Sequence, residues 1–165
     1  MPTHTFLSSI VDIAIGIAGF AGIIAAIQHR AVAHWSAQQL ILLQILFFAS
    51  AMAVVFALLP SMLLSAGIAE NNIWRIGSGG LLIWYFTAVP YRILQGRKSG
   101  VGMAVPAALL VWAAISVSLQ IYNLTTPGIA WPYLFGTFSL VVNGFTVFLL
   151  LLLKLGWEEQ QSTNA

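Results

Sequence analysis

Long apolar runs separated by short polar breaks set the plan of this chain. The first run, Ile10 to Arg30, reads IVDIAIGIAGFAGIIAAIQHR and holds one acid, Asp12, three glycines and a basic stop. Four more such runs follow. A helix of about 20 apolar residues rises about 30 Å, the thickness of a bilayer's hydrocarbon core. The pattern predicts spans over approximately 6–27, 39–64, 73–94, 103–122 and 131–155. The expected fold is all-α: one membrane domain over 1–165, a polytopic bundle of five transmembrane helices, with the later spans packed against the first.

Local punctuation refines these elements. Ser36 is placed to N-cap the second span, with Gln39 closing a capping box. Pro60 is expected to kink that span or end its regular part, because it lacks a backbone N–H and crowds the preceding turn. Gly67, followed by Glu70, Asn71 and Asn72, makes the next turn. Gly77, Ser78, Gly79 and Gly80 give the third span a close-packing first half, and Pro106 lies in the first turn of the fourth. Ala31-Val32-Ala33 resembles a signal cleavage site, but no Lys or Arg precedes the apolar run and Asp12 interrupts it. The first span is therefore read as a retained helix.

At 100° per residue, Asp12, Gly16, Gly19 and Ala26 fall on one side of the first span, with Ala18 and Gly22 beside them. Ile10, Ile13, Ile17 and Ile24 cluster elsewhere. Helices in lipid associate by close backbone approach over small residues, since leaving the acyl chains gains little. Gly16, Gly19, Gly22 and Ala26 are thus expected to form a helix-packing face, and the isoleucines to face lipid.

Composition supports the membrane reading. The chain of 165 residues is 60% hydrophobic and 6% charged, where soluble domains run to about a quarter charged. There is no cysteine, which excludes disulfides, thiolate metal sites and cysteine nucleophiles. The net charge of +2 does not indicate nucleic acid, because the six basic residues flank spans and form no patch. Arg30, Arg92, Arg97, Lys98 and Lys154 fall on one side of the membrane and Arg75 on the other. The positive-inside rule then puts the N-terminus outside and the C-terminus in the cytoplasm. Trp74, Tyr122, Trp131 and Tyr133 are expected at the outer interface, and Trp35, Tyr91 and Trp157 at the inner one.

Few residues carry chemistry. A charge at the centre of a span costs about 2.5 kcal/mol or more, so Asp12 needs a partner, water or a function. It lies roughly 9 Å below the outer end of its helix. Three readings stand: an ion pair with Arg75 that locks the first and third spans, a hydrated carboxylate at the outer interface, or an acid lining a proton or ion path. Asn143, Gln44 and Gln120 are read as interhelical hydrogen-bonding groups, Asn143 being the one near mid-span. His4, His29 and His34 all lie outside the spans, which argues against a haem held between facing helices. Gly77 to Gly80 lacks the Lys-Ser/Thr of a phosphate loop. Asn123-Leu124-Thr125 matches a glycosylation sequon but abuts a span. With four acids in all and no Ser/His/Asp or paired-carboxylate arrangement, no catalytic residue, cofactor or metal is expected.

The stretch FASAMAVVFALLPSMLLSAGIAENNIWRIGSGG, with GFAGIIAAIQHR and Trp35, resembles an uncharacterised family of small bacterial integral membrane proteins. The matching positions are Asp12, Gly19, Gly22, Arg30, Leu58-Leu59-Pro60, Trp74 and Arg75, within roughly the first 95 residues. Members carry Glu in the first span and a basic residue early in the second, where this chain has Asp12, Gln39 and Gln44. The resemblance implies a multi-pass protein of the bacterial plasma (inner) membrane and no chemistry. The expected function is a non-enzymatic subunit or accessory working through helix–helix contacts. Its expected partners are the lipid bilayer and either a second copy or another membrane protein. The alternative is a small homo-oligomeric channel or transporter with Asp12, Arg75 and Asn143 along its path.

Overall fold

The structure, a computed structural model, describes residues 3–27, 37–98 and 107–163. These form five helices and no strand: α1 Thr3–Ile27, α2 Ala37–Ser65, α3 Glu70–Lys98, α4 Ala107–Thr125 and α5 Ala130–Thr163. Three of them contain stretches long and apolar enough to cross a membrane, Thr5–Ile23, Gln39–Ser65 and Ala130–Leu153. The expected cap at Ser36 and the prolyl first turn at Pro106 lie outside the described residues, as do His29, Arg30, His34 and Trp35.

Two tight turns join α2 to α3 and α4 to α5 at one end of the bundle. The first is a Schellman closure of α2. The N–H of Ile68 bonds to Leu63 O at 3.2 Å and that of Gly67 to Leu64 O at 3.0 Å, with Gly67 left-handed at φ 78. The second turns on Gly128, φ 82, and lies on the start of α3. A Cβ at Gly128 would come within 2.2 Å of Asn71 O, so both the backbone angle and the space require glycine.

Three helices meet through seams with alternating steps of three and four residues. On α1 the inward positions are Leu7, Ile10, Ala14, Ile17 and Ala21; on α2, Gln39, Leu42, Leu46, Ala49, Ala53, Phe56 and Pro60. On α5 they are Tyr133, Thr137, Leu140, Gly144, Val147 and Leu151. A mean step of 3.5 residues is the repeat that keeps one stripe facing its neighbours in a left-handed bundle. Small residues on these stripes allow close approach: a Cβ at Gly144 would sit 3.7 Å from Ser50 Oγ and 3.8 Å from Ala49 Cβ.

The seams revise two expectations. The helix at the centre is α5, which touches the other four, whereas among the described residues α1 touches only α2 and α5. Among the described residues the glycines of α1 do not pack against another helix. Gly16 and Gly19 are exposed, Gly22 is half-buried, and an added Cβ at any of them would meet nothing within 4 Å. Ile10 and Ile17 point inward instead, and Ile13 and Ile23 outward. The stripe through Leu7, Ile10, Ala14 and Ile17 offers branched side chains to the gaps between α2 and α5. The glycine side, without side chains to fill those gaps, is turned away. The side chain of Ala26 lies outside the described residues.

Candidate functional site

The buried polar side chains lie mainly where α3, α4 and α5 converge. Ser78, Ser116, Gln120, Asn123, Thr137 and Ser139 are all fully buried. Unpaired polar groups are costly in an apolar interior, so the partners of each define what this region does.

Asn123, at the end of α4, joins three pieces. Its Nδ2 donates to Ser78 Oγ at 2.8 Å and to Trp74 O at 3.4 Å, both on α3. Its Oδ1 accepts the N–H of Ile129 at 2.8 Å and so fixes the turn into α5. The sequon asparagine is therefore buried and fully engaged. One turn earlier on α4, Gln120 Nε2 donates to Pro132 O at 2.7 Å. Further down, Ser116 Oγ donates to the Tyr85 hydroxyl at 3.2 Å, while Ser139 Oγ of α5 donates to Phe135 O at 2.7 Å.

The α2 side is closed by Tyr133. Pro60 has no N–H to give the carbonyl four residues earlier, that of Phe56. The Tyr133 hydroxyl, from α5, donates to that same Phe56 carbonyl. A neighbouring side chain thus satisfies the acceptor that proline leaves free, and α2 runs on as helix to Ser65. The Tyr133 ring fits because α3 carries glycine opposite it: a Cβ on Gly77 would lie 2.4 Å from Tyr133 Cε2. The ring also packs on Trp74, with centroids 5.8 Å apart. Of the four aromatics expected near the outer interface, Trp74 and Tyr133 are buried between helices and Tyr122 and Trp131 are exposed.

The residues singled out for transport do not converge. Asp12 is exposed on α1, and among the described residues it makes no hydrogen bond or ion pair. Arg75 is exposed on α3, a helix that α1 does not touch among the described residues, and its Nη2 donates to Leu124 O at 3.1 Å. The expected Asp12–Arg75 pair is therefore replaced by an arginine that caps α4. Asn143 is half-buried on α5 and makes no hydrogen bond among the described residues. Gln44 is exposed, so of the three amides read as interhelical links only Gln120 is seen to make one.

Chemically, the convergence of α3, α4 and α5 is an assembly of neutral hydroxyls and amides. Two buried side-chain atoms there lack a partner, Gln120 Oε1 and Trp112 Nε1. Among the described residues no group of three His, Cys, Asp or Glu side chains is placed to hold a metal ion. Comparison with family models, with curated proteins and with solved structures finds no match.

Proposed function

We propose that the chain is a five-span protein of a bacterial plasma membrane, N-terminus outside and C-terminus in the cytoplasm. We propose further that it acts without catalysis, as a subunit or accessory that works through helix–helix contacts. The observation that carries this reading is the use made of the buried polar groups. Asn123, Gln120, Ser116 and Tyr133 are engaged in tying helices together. The charge count supports the orientation, and the resemblance supports the bacterial setting.

The outward side of α1 supports contact with another membrane protein. Thr5, Ser9, Asp12, Gly16, Gly19 and Ile23 repeat there in steps of three and four residues, and all are exposed. Close helix approach over glycine is the usual route to association in lipid, and Asp12 has no partner among the described residues. The same unpartnered carboxylate favours the second reading, a homo-oligomeric channel in which Asp12 lines the path.

Reconstitution separates the two. Wild type, Asp12→Asn and Gly16→Leu are placed in liposomes for proton and ion flux, and their assembly mass is measured in detergent. The subunit reading expects no flux from any of them, with assembly lost in both variants at unchanged melting temperature. Flux that disappears in Asp12→Asn while assembly persists overturns it in favour of the channel.

A further inference from the structure

A groove runs down the outside of the bundle between α3 and α4, starting at the end that holds the two tight turns. It has a volume of about 450 Å³ and is lined by Ile68, Asn72, Arg75, Ile76, Gly79 and Leu124. Its lining is almost wholly apolar, and Arg75 and Asn72 stand at the end nearest the turns. The absence of a side chain at Gly79 keeps the floor open, since the nearest atom to an added Cβ there is Leu124 Cδ2 at 3.8 Å. Below it on α3 the stripe continues as Ile83 and Phe86, which are 68% and 64% exposed. From Arg75 to Phe86 the helix descends roughly 16 Å.

Arg75 is held in place and still has donors to offer. One nitrogen is fixed on Leu124 O, a guanidinium carries five N–H donors, and among the described residues it forms no ion pair. Glu70, on the first turn of α3, does not line the groove. A cation at the end of a shallow apolar groove complements one kind of molecule in a membrane, an anion with a hydrocarbon tail.

We propose that this groove holds an anionic glycerophospholipid. Its phosphodiester sits on the Arg75 guanidinium and the Asn72 amide, and one acyl chain lies along Ile76, Gly79 and Leu124 towards Ile83. The inference rests on α3 crossing the bilayer. That premise is read separately, by whether an impermeant thiol reagent finds Ala69→Cys and Ser99→Cys on opposite sides.

Native mass spectrometry of the purified full chain in detergent tests the site. The probes are phosphatidylglycerol, diacylglycerol with the same acyl chains, and soluble glycerol 3-phosphate. Wild type is expected to retain phosphatidylglycerol roughly fivefold more tightly than diacylglycerol. Arg75→Gln abolishes that preference. Gly79→Leu, which fills the floor and leaves Arg75 in place, lowers retention of both lipids without lowering the melting temperature. Glycerol 3-phosphate alone does not bind. Equal retention of phosphatidylglycerol by wild type and both variants overturns the proposal and indicates surface lipid only. Binding of glycerol 3-phosphate as tight as that of phosphatidylglycerol overturns it in favour of a free-anion site.

Discussion

The link between Pro60 and Tyr133 makes a sharp energetic prediction. Tyr133→Phe keeps the ring between Trp74 and Gly77 and removes only the hydroxyl, so it strips the Phe56 carbonyl of its donor. A buried polar group left unpaired costs about 1–3 kcal/mol. Side-chain hydrogen bonds between membrane helices measure lower, about 0.6 kcal/mol on average and about 1.7 at most. The expected loss is therefore about 1–2 kcal/mol. In a Pro60→Ala background residue 60 regains its N–H, which can serve the Phe56 carbonyl along the helix. There the same Tyr133→Phe change is expected to cost close to nothing. The four proteins form a double-mutant cycle with a coupling energy of about 1 kcal/mol. Reversible unfolding in mixed micelles, followed by tryptophan fluorescence, measures it, and Trp74 beside the Tyr133 ring is a local reporter. A Tyr133→Phe cost that is equal in both backgrounds refutes the reasoning, because the hydroxyl is then not replacing the proline's missing donor.

Other variants test the packing. Gly77→Ala places a methyl 2.4 Å from Tyr133 Cε2 and is expected to destabilise by about 1–3 kcal/mol through overpacking, against the gain of up to about 1 kcal/mol that helix propensity alone assigns to Ala over Gly. Gly16→Ala, with nothing within 4 Å, is expected to leave the melting temperature of the isolated chain unchanged or raised. Asn123→Ala breaks the links to Ser78 and to the Ile129 N–H and is expected to cost about 1–3 kcal/mol, read by thermal unfolding in detergent. An Asn123 that accepts a glycan in a microsomal system, with stability unchanged, contradicts its placement in the interior.

The helices were legible because apolar runs bounded by Gly, Pro and charges leave few alternatives, and the predicted runs fall within the described helices apart from 103–106, which lie outside the described residues. Which face of α1 turns inward was harder to read. Small-residue matching pointed to Gly16 and Gly19, yet the three-and-four spacing of Leu7, Ile10, Ala14, Ile17 and Ala21 was equally visible and proved to be the buried stripe. Two stripes on one helix compete, and the choice depends on the shapes of α2 and α5, which a single helix does not encode. Asp12 and Arg75 looked like partners because both charges belong at the same end. Pairing also requires their helices to touch, and the packing order around α5 keeps α1 and α3 apart. Gln120 was recognisable as an interhelical donor. Asn123, Ser78 and Tyr133 were hidden behind a sequon, a glycine run and an interfacial aromatic pattern. The best available signal for Tyr133 was Pro60, since a proline inside a membrane helix frees a carbonyl that some neighbour has to satisfy.

The topology we propose, five crossings with the C-terminus inside, is open to a direct test. The protein contains no cysteine, so single substitutions report without background. Intact cells expressing Ala69→Cys, Thr126→Cys, Ala33→Cys, Ser99→Cys or Ser162→Cys are treated with an impermeant thiol reagent, then permeabilised and treated again. The account predicts labelling of Ala69→Cys and Thr126→Cys before permeabilisation, and of Ala33→Cys, Ser99→Cys and Ser162→Cys only after it. Labelling of Ser99→Cys together with Ala69→Cys in intact cells contradicts it.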